Sequence, residues 1–337
     1  MEKQIQEIQK EKRNDTKVVI CVSRRLDTPS TVVENSLYFP VTCGAVYASS
    51  KNKNDFTGDN TGDNISEKRN SFCEFTVQYW AWKNQSCDYY GLCHYRRYLT
   101  FSEKHFKANN QEQIMEGLLD SHSIKKYDLL NEKRMHQIIE ENDVVVNKAA
   151  YVDRIPTPHG YQHSVYDHWL AHAGLFFDGR VLNLLLETIK RRCPKYSEAA
   201  KEYLAGKWHR GYNCFIMKRK LFFQMCEFQF SVMFDLEQQL KVNGYANQYE
   251  RTIGYMGEIM YGIFIHYLQN QGKYRIKEEQ LVYFEQTVLP DSKLQLLLEK
   301  FLFFAKFRFE DVGYKILPKG SKRRNFVKHI YFSLVKR

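Results

Sequence analysis

The chain has 337 residues, 43% hydrophobic, 15% aromatic and 26% charged, enough to bury a sizeable core in one large domain or two small ones. That balance excludes a disordered or fibrous class. Fifty Lys and Arg against 39 Asp and Glu give a formal net charge of +11, which favours an anionic partner: nucleic acid, a phosphorylated ligand or an anionic membrane leaflet. The eight cysteines form no CxxC pair and sit mostly in apolar runs, so reduced, buried thiols of a cytosolic protein are expected. Most of the 23 Tyr and 23 Phe are expected to be core. No run approaches the length of a spanning helix and no apolar segment follows Met1, which predicts a cytoplasmic protein.

Residues 1–16 read as a charged leader. KVVICVS at 17–23 is a short, nearly continuous apolar run, the pattern of a buried parallel strand. KNKNDFTGDNTGDN at 51–64 is a loop by composition. Ser66 stands as an N-cap, and apolar residues at three- and four-residue spacing make 67–84 a helix. DYYGLCHYRRYLTF at 88–101 reads as a central strand running into a loop. A helix over 132–141 and a buried strand at 143–146 follow. Residues 151–174 begin as a Pro- and Gly-broken loop and become a His-rich helix. Further helices are expected at about 180–192 and 198–205, a strand at 211–218, and long helices at about 219–240 and 248–270. Strands alternating with helices indicate an α/β domain with a mostly parallel sheet flanked by helices. The domain is expected over 17–285, with a basic, amphipathic, helical extension over 286–337. KILPKGSKRRNFVKHIYFSLVKR at the end interleaves Lys and Arg with apolar residues and holds no acidic group.

Four constellations can carry chemistry. TGDNISEKRN places Gly62, Asp63, Asn64 and Ser66 before a helix N-terminus, where free N–H groups favour an anion; it is neither a Walker loop nor GxGxxG, and an ordinary capped loop has the same look. His94, Tyr95, Arg96 and Arg97 lie at the end of a central strand, where ligands bind in open α/β sheets. Paired arginines there suit phosphate oxygens, or structural ion pairs. His159, His163, His168 and His172 cluster in one segment, and the last two share a helical face. No HExxH pattern accompanies them, and no metal site is expected. Asn213, after Tyr212, sits on an apolar run where its amide needs a partner or a ligand. Glu258 lies in the last long helix with Arg251 before it. Burial would fit it for general-base work, and an Arg–Glu helix pair is the plainer alternative.

KVVICVS, Gly44-Ala45, TGDNISEKRNSFCEFTVQYWAWKN, DYYGLCHYRRYL, YNCFIMKRKLF and ERTIGYMGEIM together resemble a bacterial family catalogued as domain of unknown function 4422, linked to capsular and exopolysaccharide glycosyltransfer. The matching blocks span about 17–265. Cys214 stands where the family usually has Met, and Met256-Gly257 where Leu-Ser is common; neither removes a proposed chemical group. The resemblance implies a GT-A-like fold, a UDP-sugar donor with galactose or galactofuranose the first guess, and a glycan or undecaprenyl-linked oligosaccharide acceptor. It also implies roles. Gly62, Asp63, Asn64, Ser66, Tyr95, Arg96 and Arg97 would bind the donor, with His94 hydrogen-bonding the leaving group. Tyr212, Asn213 and His168 would face the acceptor, with Glu258 or Asp167 as base. The His94–Arg97 segment occupies the place of the usual metal-binding Asp-x-Asp, so no cofactor is expected and Mn²⁺ or Mg²⁺ is disfavoured. Phe326, Ile330 and Phe332 in the basic C-terminus would dip into the inner membrane face. The competing reading is a non-catalytic nucleic-acid- or sugar-nucleotide-binding protein. It lacks any nucleic-acid-binding motif, and no nucleic-acid partner is expected.

Overall fold

The computed structural model describes residues 16–49, 56–245, 249–308 and 322–335. Most of the charged leader, residues 51–55 of the polar loop, residues 315–321 of the basic end and the side chain of Phe332 lie outside the described residues.

The apolar run at the start forms β1 (Val18–Arg25), paired in parallel with β2 (Tyr38–Cys43) and with β4 (Tyr89–His94). β2 carries the short β3 (Thr57–Gly58) at its outer edge. On the other side of β4 lies β10 (Phe215–Lys218), antiparallel both to β4 and to β7 (Val144–Asn147). β11 (Ile276–Glu279) closes that edge in parallel with β7. The order is β11-β7-β10-β4-β1-β2-β3, a mostly parallel sheet with one reversed strand. A side branch leaves β4: β5 (Arg97–Leu99) pairs with β12 (Leu281–Gln286), and β12 pairs with β6 (Gln113–Leu118). β8 (Ala150–Tyr151) and β9 (Trp208–His209) form a separate two-stranded ribbon.

Strand side chains alternate between two cores, as the period of a strand requires. Cys21, Tyr90, Leu92, Val144, Phe215 and Met217 face one layer, and Ile20, Val22, Cys93, Val145 and Ile216 face the other. The first layer holds α2 (Phe75–Asn84), α5 (Val165–Leu170), α6 (Val181–Arg192), α7 (Ser197–Ala205), α8 (Arg219–Val242) and α9 (Thr252–Asn270). The second holds α4 (Glu132–Glu141), capped by Asn131 and buried through Met135, Ile138 and Ile139. α3 (Ser121–Lys126) follows β6. The twelve largest fully buried side chains are all Tyr or Phe, so the aromatic excess is core material. All eight cysteines are free. α10 (Lys293–Arg308) seats Phe303 against Leu118 of β6, and α11 (Lys322–Val335) is the last described element. No helix of the described residues is long and apolar enough to cross a membrane.

Three elements depart from the expected course. The helix over 67–84 is broken: a 3-10 turn (Ser66–Lys68) leads into α1 (Arg69–Phe72), Cys73 takes φ 53°, and α2 then begins. Gly254 of α9 passes close to that break, where a Cβ would lie 3.1 Å from Cys73 Sγ. Ser66 does not cap the helix, because its hydroxyl is spent on Asp59 (2.5 Å). The strand at 88–101 stops at His94 and doubles back into β5 through the Tyr95-Arg96 turn. The strand expected at 211–218 begins only at Phe215, since Tyr212 and Asn213 adopt φ 75° and 45°.

Candidate active site

β1, β2 and β4 run in one direction, so their carboxyl ends meet at a common edge, where open α/β sheets bind ligands. Two adjoining cavities lie there, sharing Glu74, His94 and Arg251. The larger, of about 340 Å³, is lined by Arg97, His168, Trp169, His209, Tyr212, Asn213 and Glu258 among others. The smaller, of about 180 Å³, gathers Arg25, Arg69 and Arg251 around Ser23, Cys43 and Cys73.

The arginine lobe is built by strand ends and the broken helix. Arg25 ends β1 and grips Asp27 with two hydrogen bonds (3.0 and 2.9 Å), and Arg69 of α1 reaches the same carboxylate at 3.0 Å. Arg251, at the start of α9, donates Nε–H to Cys73 Sγ at 3.2 Å rather than pairing with Glu258. One acidic partner thus serves two arginines, and with Glu74 and Glu250 at its wall the lobe offers an anion three converging guanidinium groups rather than a net positive charge.

The larger cavity is organised by two carboxylates. Glu258 projects from α9 beneath Gly211, where a Cβ would lie 2.4 Å from its Oε1. Burial, with Glu74 adding like charge, pushes its carboxyl up to about 7, while a Tyr212 backbone bond, Arg97 and Arg251 pull the other way. That places a proton acceptor near neutral pH. Glu74 accepts the Asn213 side-chain amide at 2.8 Å, and Asn213 Oδ1 is buried without a partner. Arg97 holds its guanidinium over the Tyr212 and Tyr283 rings, 5.0 and 5.1 Å from their centroids, with its buried Nε unpartnered. Burial beside Arg97 and Arg96 holds His94 well below the ordinary imidazole range, so it is neutral. Its Nδ1 accepts the Arg96 N–H at 3.4 Å, which leaves Nε2–H as a donor. Burial likewise takes His209 down to about 3, with His168 and Arg210 adding to it. His172, Phe176 and Tyr255 form a stacked aromatic wall with centroids 5.2 and 4.9 Å apart.

Of the residues expected from sequence, His94, Arg97, His168, Tyr212, Asn213 and Glu258 line this cavity. Arg96 lies outside it, donating to the Tyr283 hydroxyl (3.2 Å), and buried Tyr95 packs its ring against His94. Gly62, Asp63, Asn64 and Ser66 line neither lobe. Their loop is pinned to α2, with Asp63 N–H bound to Asn84 Oδ1 (3.1 Å), Tyr79 bound to Asp63 (3.1 Å), and Asn64 bonded to Gly62 and Ser66 within the loop. The buried Asp59 anchors it, accepting from Gly44 N, Ala45 N, Ser66 Oγ and Thr76 Oγ1 at 2.5–2.9 Å. Asp167 is exposed and bound to its own helix cap, Ser164 (2.6 Å). His159 and His163 line neither lobe, His163 resting near Asp153 at 3.4 Å. Among the described residues no group of three or more His, Cys, Asp or Glu is placed to hold a metal.

Sequence reading passed over Arg25, Arg69, Glu74 and His209. Arg25 was open to discovery, because it ends an apolar strand where that class of sheet binds ligands. Glu74 and His209 carry no such local signal. A larger cavity of about 580 Å³ between β6 and α10 is less suited to chemistry, since its Lys126 and Lys300 are already paired with Glu116 and Asp120.

The fold and this edge define a glycosyltransferase-like architecture. A solved structure described as the apo form of the WbbM bifunctional glycosyltransferase superposes with a TM-score of 0.71 at 29% identity, covering 82% of this chain and 48% of that one. The chain thus spans about half the length of that protein. No curated protein matches the chain. Residues 17–271 match the family described as domain of unknown function DUF4422, and the chain belongs to that family.

Proposed function

We propose that the chain is a glycosyltransferase that moves a hexose, galactose or galactofuranose first, from a UDP-sugar to a glycan or undecaprenyl-linked oligosaccharide in surface polysaccharide synthesis. The observation that carries this reading is the juxtaposition of a three-arginine lobe with a buried carboxyl titrating near 7 across one shared edge. An acceptor hydroxyl in the larger cavity loses its proton to Glu258 as its oxygen attacks the anomeric carbon. The bond from that carbon to the diphosphate breaks, and UDP departs with the electron pair. Arg25, Arg69 and Arg251 hold the diphosphate, and Arg97 with the His94 Nε2–H meets the charge at the junction of the lobes. Arginine's fixed charge serves where a divalent metal would, which supports metal-independent transfer. A general base such as Glu258 is what a direct, inverting displacement at the anomeric carbon needs, which favours inversion. The chain works at the cytoplasmic face of an anionic membrane, held there by its basic C-terminal helices.

The test is incubation of the purified protein with a panel of UDP-hexoses and a lipid-linked or soluble galactoside acceptor. The expected result is UDP release with an inverted glycoside product, undiminished in excess EDTA. Loss of activity in EDTA that Mn²⁺ restores would sink metal independence. Failure of every nucleotide sugar to bind would sink the function.

A further inference from the structure

The α9 stripe that lines the active-site cavity continues past Glu258. Arg251, Tyr255 and Glu258 share a helical face with Gly262, His266 and Gln269, recurring in three- and four-residue steps. The second half of the stripe lines another cavity of about 340 Å³, together with Tyr203, Trp208, Arg210 and Glu278. β9 and the residue after it divide the two spaces. His209 faces the first, while Trp208 and Arg210 face the second, as alternation along an extended chain requires. Tyr203 completes the partition, accepting the Arg210 N–H at 3.0 Å and meeting His209 Nδ1 at 3.2 Å. A Cβ on Gly262 would lie 2.1 Å from the Tyr203 hydroxyl oxygen, so glycine is what lets the partition seat on the helix.

Two features of the second cavity have no use in the fold. Trp208 is 60% exposed, with its indole held in place beside the Tyr151 ring. Arg210 keeps only 4% of its side chain exposed, binds Glu278 through Nη2, and leaves a buried Nη1 with no hydrogen-bond partner. An unmade hydrogen bond of that kind is costly and points to an acceptor brought by a ligand. Arg210 and Glu278 offset one another in charge, and His266 is bound to Glu202 at 3.2 Å, so the site selects no ion. A neutral, hydroxyl-rich molecule with an apolar ring face fits it: C–H groups pack on the indole, and hydroxyls meet Arg210, Glu278 and Gln269.

We propose that this cavity is a second saccharide site, which holds a distal sugar unit of the same glycan whose terminal hydroxyl reaches Glu258. The proposal rests on the glycosyltransferase reading of the first cavity. At 1.5 Å per residue, His266 stands roughly 12 Å along α9 from Glu258. Because the partition stands between the two cavities, the glycan must cross it on the outer side, over the exposed Trp208, and only an oligosaccharide is long enough to occupy both.

The test uses the full chain, with methyl galactoside and linear galacto-oligosaccharides of increasing length as probes. The Trp208 indole N–H signal, assigned by its loss in Trp208→Ala, is followed by NMR and is expected to shift with the oligosaccharides. In transfer assays, Trp208→Ala raises KM for the oligosaccharide about tenfold, a difference of about 1.4 kcal/mol in binding, and leaves KM for the UDP-sugar unchanged. Gln269→Ala, also at an exposed position, moves acceptor KM the same way. An indole signal that no oligosaccharide moves, or acceptor KM values equal to wild type in both variants, overturns the second site. If the indole shifts but no sugar is transferred, the cavity is a saccharide site, while its acceptor role falls together with the glycosyltransferase reading. Transfer with a silent indole removes the second site and leaves the glycosyltransferase standing.

Discussion

Asn213 donates its side-chain amide to Glu74 at 2.8 Å from a backbone held at φ 45°. Tyr212 before it stands at φ 75° and bonds Glu258 through its backbone. Two successive non-glycine residues in the left-handed region are costly, and such strain collects at functional sites. Here the strained turn ties both carboxylates of the cavity to one short segment between β9 and β10.

That arrangement separates backbone from side chain. Asn213→Gly relieves the left-handed turn of its Cβ and removes the amide; Asn213→Ala removes the amide but keeps a Cβ in the left-handed region, without the local side-chain bonding by which asparagine tolerates it. The alanine variant is expected to be less stable than the glycine variant by about 1 kcal/mol, read from denaturant midpoints. Both are expected to lose transfer activity to a similar extent. Equal stabilities would show that the turn relaxes freely, and full activity in either would remove Asn213 from the acceptor site.

Glu258 gives a prediction with a definite sign. Its carboxyl titrates near 7 in the folded chain against an ordinary 4.5, so the native state holds its proton longer. Wild type therefore loses stability as pH rises from about 4.5 to about 7, and the loss is complete above that. Glu258→Gln has no charge to bury. The variant is expected to melt higher than wild type at pH 8, by at most about 3 kcal/mol in stability, with the gap closing near pH 4.5. Transfer is expected to vanish in the variant, while wild-type kcat/KM rises through an apparent pKa near 7. A variant less stable than wild type at pH 8 would place a needed charge, not a buried acid, at this position.

These particulars show where the sequence was transparent. β1 was legible as a short, nearly continuous apolar run, and α4 and α8 because their apolar residues recur with the period of a helix. Glu258 was legible through a helix that places it two turns beyond Arg251. The GDN loop was not, because its composition suits a phosphate, while Asp59, buried at its base, spends four bonds on Gly44 and Ala45 just after β2, on Ser66 at the loop's end and on Thr76 of α2. The break at Cys73 was equally hidden. Helical periodicity persists on both sides of it, and only packing against Gly254 reveals why the chain turns. His209 joins the cavity through contacts made across long sequence separation, which no local pattern records.

The arginine lobe can be tested without touching an arginine. Gly44 takes φ 72°, and a Cβ there would fall 1.9 Å from Arg69 Cδ. Gly44→Ala must displace Arg69 or the β2 end. It is expected to weaken UDP binding several-fold by calorimetry, and Arg25→Ala or Arg251→Ala at least tenfold, since a charge-assisted bond to a phosphate contributes about 1.5–3 kcal/mol. Acceptor KM is expected to stay near wild type. UDP affinity unchanged in all three would move the diphosphate elsewhere.

The C-terminal helices give the last prediction. Residues 286–337 carry twelve Lys and Arg against four Asp and Glu, most of the chain's positive balance. α10 turns Phe303 inward and leaves Leu294, Leu297, Phe301 and Phe304 exposed by 66–78%, at the three- and four-residue steps of one helical stripe. α11 adds Phe326, 66% exposed, beside exposed Lys322 and Arg323. An apolar stripe flanked by cations is suited to lie in an anionic interface. Truncation after residue 318 removes seven Lys and Arg, each contributing about 1 kcal/mol near such a surface. It is expected to lower sedimentation with phosphatidylglycerol vesicles at least tenfold. The wild-type interaction is expected to weaken as salt shortens the screening length. Phe301→Asp, which spares every cation, is expected to remove the salt-resistant part that remains. Vesicle binding unchanged by the truncation would show that the charge does not act at a membrane. Unchanged binding of Phe301→Asp would confine the contact to electrostatics, with α10 left outside the bilayer.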